Sequence, residues 1–394
     1  MSPFIGIGPT ITRRRGGGEL LPPPVPTAIA VGTVIGSTGL KSWVITFDLD
    51  LGDTMPTASA FAVSGFTFVS VTKTGAKEIT VLADDTAEWG ESYSMTYTQP
   101  GSNQLAGVTG EKVASFTSAV TNNCPTDFYF TVDTTKAGSA SDTFVLPTTG
   151  SGYNCTIYWG DGESSSHSGT PGNITHVYVS QGVKQIRIAG TFPRIYFNNT
   201  GDKLKIISVD NWGAMGCTSF ESAFYGCSNL VSINGGKLES TASTSGFSYT
   251  FRGCASLTTI PVDLFKYNVN VSTHGFVYTF RGCASLTAIP VDLFRYNVNV
   301  STNGFYGTFY GCNKLQLNRN IFYADGEQST RFLNKSPNFQ GCFVLLAAFS
   351  GTQGEAPDLW NCNFGTGTAT KTDCFDGHSA ASLSNYASIP AEWL

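Results

Sequence analysis

Charge is scarce in this chain. Lys, Arg, Asp and Glu make up 13% of its 394 residues, and the net charge is -5. That leaves no basic footprint for a nucleic-acid partner. Long apolar runs are missing as well, so membrane insertion is not expected, and no Lys/Glu-rich helical pattern appears. Histidine is limited to His167, His176, His274 and His378. There is no G-x-S-x-G, no H-E-x-x-H, no P-loop and no paired-cysteine zinc spacing. Gly365–Thr368 reads GTGT, a glycine-rich loop without the lysine of a phosphate site. The expectation is therefore a non-enzymatic chain with no cofactor and no metal. Against it stands only a supply of acidic residues sufficient for the two carboxylates of a glycosidase. The first residues, MSPFIGIGPTITRRRGGGELLPPPVP, lack an apolar segment after a basic start. Their arginines run into glycines and prolines, unlike a twin-arginine signal.

What the chain has in quantity is glycine (44), phenylalanine (28), tyrosine (16) and small polar residues. That composition favours short strands and many turns. The length allows two to four domains. Residues 1–25 cannot form a core by themselves. They are either a disordered tail or a peptide that orders on docking to a larger assembly, with Phe4, Ile5, Arg13, Arg14 and Arg15 as its contacts.

From residue 26 to 123, short alternating runs read as strands: Ser42–Leu51, Phe61–Lys73, Glu78–Asp84, Ser92–Gly101 and Val113–Val120. Val44 and Thr46 flanked by Ile45 and Phe47 illustrate the alternation a two-sheet core needs. The order of ITFDLDL, SAFAVSG, YTQPGSNQL and ASFTSAVTN resembles bacterial Ig-like domains of the SwmB type, which implies a spacer or adhesion module. Residues 124–192 form a second β-rich unit marked by CTIYWGDGESSS (Cys155–Ser166). Its W-G-D-G is a tight turn that Asp161 can close through its side chain. The turn, with His176 and Tyr178 on a later strand, resembles PKD-like Ig domains, although IYWGDG departs from the start of that motif. Asp161, Glu163 and His176 have the atoms for a metal or an acid–base pair. A turn role for Asp161 and a packed or hydrogen-bonded His176 account for the same residues.

Residues 193–394 carry a repeat. Gly246–His274 and Gly275–Asn303 are adjacent 29-residue segments that differ at only four positions, Ser248/Val277, Thr259/Ala288, Lys266/Arg295 and His274/Asn303. Their shared F-x-G-C-x-x-L-x-x-I also appears at Phe224–Ile233. It weakens at Phe309–Leu315 and Asn338–Cys342 and diverges at Cys374–Leu394, where His378 stands for the cysteine. Cys227, Cys254, Cys283, Cys312 and Cys342 follow at spacings of 27, 29, 29 and 30. One phase suggests a ladder of buried thiols, with disulfides or metal as the other reading; Cys362 and Cys374 are a further candidate pair. A fixed period of this length marks stacked units that cannot bury enough apolar surface singly. The segment resembles leucine-rich repeats of the BspA-like surface-protein type, implying a short strand at L-x-x-I-P and a helical or turn-like side at G-F-x-Y-T-F-x-G-C. Lys266 with Arg295 and Tyr267 with Tyr296 fall in register, rows suited to a glycan or protein contact, or to ordinary loop filling.

The expected fold is thus multidomain and mainly β: two Ig-like sandwiches followed by a leucine-rich-repeat solenoid. All three modules resemble units of extracellular display, and the absence of an export signal points to a particle released by lysis. The implied function is a bacteriophage virion structural protein of tail-fibre, tail-tip or head-fibre type. It would bind other virion proteins through its N-terminal segment and a host-surface glycan or protein through its repeats. No heptad seam specifies an oligomer, though a homo-oligomer is compatible. The alternatives are a bacterial cell-surface adhesin and a carbohydrate-active enzyme with the repeats as binding module.

Overall fold

The computed structural model describes residues 24–36, 39–84, 87, 90–233, 237–262, 264–346 and 352–394. The chain is mainly β and divides into two compact units, Met1–Cys124 and Pro125–Leu394.

The first unit has seven strands: β1 (Ala28–Gly36), β2 (Gly39–Phe47), β3 (Phe61–Ala62), β4 (Phe68–Gly75), β5 (Glu78–Ala83), β6 (Tyr93–Tyr97) and β7 (Phe116–Val120). They form two antiparallel sheets, ordered β1-β2-β5-β4 and β3-β6-β7. Period-two alternation sets the inward face: Trp43, Ile45 and Phe47 of β2 and Ile79, Val81 and Ala83 of β5 are buried in a core shared by both sheets. Trp43 meets Phe66, Phe68 and Tyr93 edge-on at 5.0, 5.9 and 5.3 Å. The single run expected over Phe61–Lys73 is two strands, split by a turn at Gly65, whose φ of +87° suits glycine. Strand β1 was not expected. Its sequence AIAVGTVIG is poor in the large alternating residues that mark a strand.

The second unit opens with β8 (Phe128–Asp133), β9 (Thr143–Leu146), β10 (Tyr153–Tyr158), β11 (Ser164–Gly169), β12 (Ile174–Val177), β13 (Val183–Thr191), β14 (Ile206–Asn211) and β15 (Ser232–Ile233). A six-stranded sheet runs β11-β10-β13-β8-β14-β15, beside a two-stranded β12-β9 pair. Strand β14 lies beyond the expected join at residues 192 and 193, yet pairs with β8 from Ile206↔Val132 to Asn211↔Tyr129. One hydrophobic cluster accordingly runs from Phe128 to Trp393. Lys205, fully buried, donates to the carbonyls of Ser139, Ala140 and Thr143. The neighbouring Asp202 accepts from the Ser139 and Val145 amides, so the two side chains tie the β8–β9 loop to the start of β14.

The rest of the unit corrects the expectation of a leucine-rich-repeat solenoid. The described residues contain no α-helix, and after Ile233 no β-strand. At the expected strand positions, Pro261 and Pro290 have no N–H to give a ladder. Among the described residues, only the first such step holds a strand, β15; further on there are isolated bridges, Ala288 to Gln316 and Leu317 to Gly354. The G-F-x-Y-T-F-x-G-C step is a run of turns with its own rule. The N–H groups of Phe247, Tyr249, Phe251 and Gly253 donate to Gly275, Val277, Thr279 and Arg281 in the following repeat. Those of Ser248, Thr250, Arg252 and Cys254 turn back three residues instead. Left-handed backbone at Tyr249 (φ 61°) and Gly253 (φ 73°) curls the chain where a strand would extend it.

Side chains follow that register. Phe224, Phe251, Phe280, Phe309, Phe343 and Phe375 stack successively at 5.4–5.8 Å with planes within 12° of parallel. Phe220, Phe247, Phe276, Phe305 and Phe339 make a second file. The thiols of Cys254, Cys283 and Cys312 donate to the carbonyls of Phe224, Phe251 and Phe280 at 3.3, 3.2 and 3.1 Å. Cys342 does not share this phase. Its carbonyl accepts from Phe309 N as that of Thr308 does from Phe280 N, which places it in the column of Thr250, Thr279 and Thr308. His378 does occupy the thiol column, its Nε2 lying 2.9 Å from the Phe343 carbonyl. The ten cysteines are buried and not disulfide-bonded, Cys362 and Cys374 among them.

Candidate functional site

Lys266, Tyr267, Arg295 and Tyr296 directly follow Phe265 and Phe294, whose rings stack at 5.6 Å. Matching positions in successive repeats therefore bring the two pairs into register. Tyr267 receives the Lys237 ammonium at 4.7 Å and the Lys266 ammonium at 5.7 Å from its ring centroid. Arg295 is engaged by carboxylates, with Nη2 2.7 Å from Glu327 Oε1 and Nη1 3.4 Å from Asp292 Oδ2. The Glu327 hydrogen bond raises the Arg295 pKa, and Arg295 in turn holds Glu327 below the usual carboxylate range. Arg295 and Tyr296 line a cleft of about 430 Å³ together with Glu327, Arg331, Leu333 and Lys335. Lys266 and Tyr267 are not part of its lining. Arg331 is 6% exposed and donates to the carbonyls of Phe322, Phe294 and Asn297. Burial pushes its pKa down to about 10.

A second surface escaped the sequence reading. Tyr225, Tyr249, Tyr278 and Tyr306 form a half-exposed file with ring centroids 6.2, 5.5 and 4.9 Å apart. The Arg252 guanidinium lies 4.8, 5.3 and 5.6 Å from the rings of Tyr225, Tyr249 and Tyr278. That of Arg281 lies 4.6 Å from both Tyr278 and Tyr310. Each contact is within cation–π range. The signal was present in the repeated Y-T-F-R, where tyrosine and arginine recur at one phase. It was hidden where Tyr306 shifts by one position and Tyr310 replaces the arginine.

Asp161, Glu163 and His176 lie together at the W-G-D-G turn, their ligand atoms within 4.8 Å of one another. Asp161 closes the turn, its Oδ1 accepting from Glu163 N at 3.0 Å, and its Oδ2 is 2.8 Å from His176 Nε2. The His176 ring stacks on Trp159 at 4.7 Å and meets Tyr178 edge-on at 4.5 Å. Burial works against the Asp161 carboxylate, but hydrogen bonds from His176 and from Glu163 N hold its pKa below the ordinary value. The turn and packing roles are thus both in place. Phe4, Ile5, Arg13, Arg14 and Arg15 lie outside the described residues.

No family model and no curated protein matches the chain. Among solved structures it is similar to the N-terminal part of the bacterial S-layer protein SbsC, at 16% identity, a TM-score of 0.23, and coverage of 42% of this chain and 44% of that one. The chain spans less than half of that structure, and a likeness this slight carries no argument. The family resemblances read from the sequence, to BspA-like, SwmB-type and PKD-like domains and to phage fibre proteins, are corrected accordingly.

Proposed function

We propose that this chain is a non-enzymatic structural protein of a bacteriophage particle, a tail-fibre, tail-tip or head-fibre component, which presents its C-terminal repeats to the host surface. The observation that carries this reading is the file of Tyr225, Tyr249, Tyr278 and Tyr306 interleaved with Arg252 and Arg281. Ring-on-ring packing between repeats and the flanking guanidiniums hold these rings, so little side-chain freedom is lost on contact. Aromatic rings and arginine are the side chains enriched at recognition surfaces. The cleft beside Arg295 and Tyr296 adds a second contact on the same unit. The glycine- and proline-rich segment 1–25, with Arg13–Arg15, suits attachment to other particle proteins.

The test has three arms. Mass spectrometry of purified particles should find the chain. Recombinant chain should bind host cells, and Arg252→Ala with Arg281→Ala should weaken that binding while the variant stays folded. Incubation with host polysaccharide should release no reducing ends. Recovery from a bacterial envelope and not from particles would replace the phage assignment with a cell-surface adhesin.

A further inference from the structure

The tyrosine file ends abruptly, and where it ends there is a recess. Backbone register aligns Ser222, Tyr249, Tyr278, Gly307 and Gly341, all in left-handed conformation with φ of 56°, 61°, 52°, 56° and 62°. For a residue other than glycine this conformation costs about 1–2 kcal/mol. Two successive repeats nevertheless carry tyrosine there, and the next two relax to glycine. Gly307 cannot follow suit without a rearrangement, since a Cβ there would collide with the Tyr278 ring. Beside these two glycines lies a recess of about 190 Å³. Tyr306 and Tyr310 enter it from one repeat, Gln340 and Gly341 from the next, and Asp373 and Asp376 from the last.

We infer that this recess is a saccharide subsite that takes one uncharged pyranose ring, a hexose or N-acetylhexosamine unit of a surface glycan. The inference deepens the attachment reading above and rests on it for its biological setting. The volume is below the range of drug-sized ligands and leaves room for a single ring. Tyr306 and Tyr310, both half-exposed, put aromatic surface on the recess wall for the C–H side of a sugar. Asp373 and Asp376 are exposed, and neither carboxylate has a hydrogen-bond partner among the described residues, so both are open to hydroxyl donors. Gln340 can donate and accept. Two carboxylates repel an acidic sugar, and hydroxyl groups fit them better than an apolar side chain would.

Saturation-transfer NMR on the full chain tests this with methyl glycosides of glucose, galactose, mannose and N-acetylglucosamine. At least one should bind in the millimolar range, with transfer strongest at ring C–H protons. Tyr306→Ala and Asp376→Asn should each weaken it about tenfold, equivalent to ~1.4 kcal/mol. Asp376→Asn keeps the side-chain shape at an exposed site, so its fold is not at risk. Lys112→Ala, exposed on the first unit, should leave glycoside binding unchanged. The subsite is overturned if no glycoside binds or if both recess variants bind as the parent does. Host-cell binding that persists while no glycoside binds overturns the subsite and leaves attachment standing. Glycoside binding without cell attachment has the opposite meaning.

Discussion

Phe280→Ala is the most informative perturbation of the repeat unit. The ring is fully buried and stacked at 5.4 Å on both Phe251 and Phe309, at 12° and 4° from parallel. Truncating a buried phenylalanine costs about 3–5 kcal/mol. The upper half of that range is expected here, because two ring pairs, each worth ~0.5–1.5 kcal/mol, are lost together. Collapse into the gap is hindered, since the backbone on either side is fixed by Phe251 N to Thr279 O and Phe280 N to Thr308 O, both 2.9 Å. At ~1.4 kcal/mol per tenfold, amide exchange in the unit should accelerate by about three to three and a half decades. The acceleration should reach Phe247–Cys254 and Phe305–Cys312 as well as the mutated repeat, since each repeat donates its alternate N–H groups to the following one. Hydrogen exchange with mass spectrometry reads this peptide by peptide. Faster exchange confined to residues 276–283, or a loss of stability under about 1 kcal/mol, would refute the claim that neighbouring repeats stabilise each other.

Three further outcomes follow from the geometry. Cys283→Ser should cost about 1–3 kcal/mol, because the site is apolar and the shorter hydroxyl reaches the Phe251 carbonyl less well than the thiol does at 3.2 Å; an unchanged melting temperature would contradict this. Replacing Lys266 and Arg295 together by alanine should weaken host-surface binding with little change in melting, since the half-exposed Arg295–Glu327 pair is screened by solvent; undiminished binding removes that row from the contact surface. The lowered Asp161 pKa gives a contribution to stability that is complete above the unfolded value near 3.8 and is lost as pH falls through the lower folded value. Acid unfolding curves of the parent and Asp161→Asn should therefore converge below that pH, and curves that stay parallel throughout would overturn the role given to the His176–Asp161 contact.

Particular residues explain how far the sequence could be read. The alternation of β2 and β5 was plain, because Trp43, Ile45, Phe47, Ile79 and Val81 are large and face one core. Strand β1 was not, because AIAVGTVIG holds no aromatic residue and interrupts its apolar residues with glycines. The period of the repeats was legible, but not the local form of the chain. Phenylalanine and cysteine at fixed phase fit several backbones, and only the alternating hydrogen bonds and the left-handed tyrosines distinguish this one. Cys342 misled by coincidence. It lies 30 residues after Cys312, close to the period, yet the phenylalanine spacing widens from 29 between Phe280 and Phe309 to 34 between Phe309 and Phe343. Tyr267 and Tyr296 were visible as a row; the file of Tyr249 and Tyr278 carried the same signal and continues through a change of position that a linear alignment hides.

Both clefts lie where repetition stops, and there is a physical reason. Identical repeats present identical surfaces, so a run of them makes files and ridges but no recess. A recess needs neighbours that differ. The near-copies Gly246–His274 and Gly275–Asn303 supply regular walls: the Phe265 and Phe294 rings stacked beside the Arg295 row, and the Tyr278 ring against Gly307. The next repeat breaks the pattern twice. It has glycine at position 307, and the neighbouring Tyr306 carries the last ring of the tyrosine file. The longer segment after Cys312 brings in Glu327, Arg331 and Lys335 opposite the Arg295 row. Duplication thus builds a stiff scaffold cheaply in sequence terms, and divergence at its end creates the shapes that can discriminate a ligand. If this division of labour is right, binding should be sensitive to substitutions in residues 304–346 and nearly indifferent to exchange of the four positions at which the two copies differ, Lys266/Arg295 excepted.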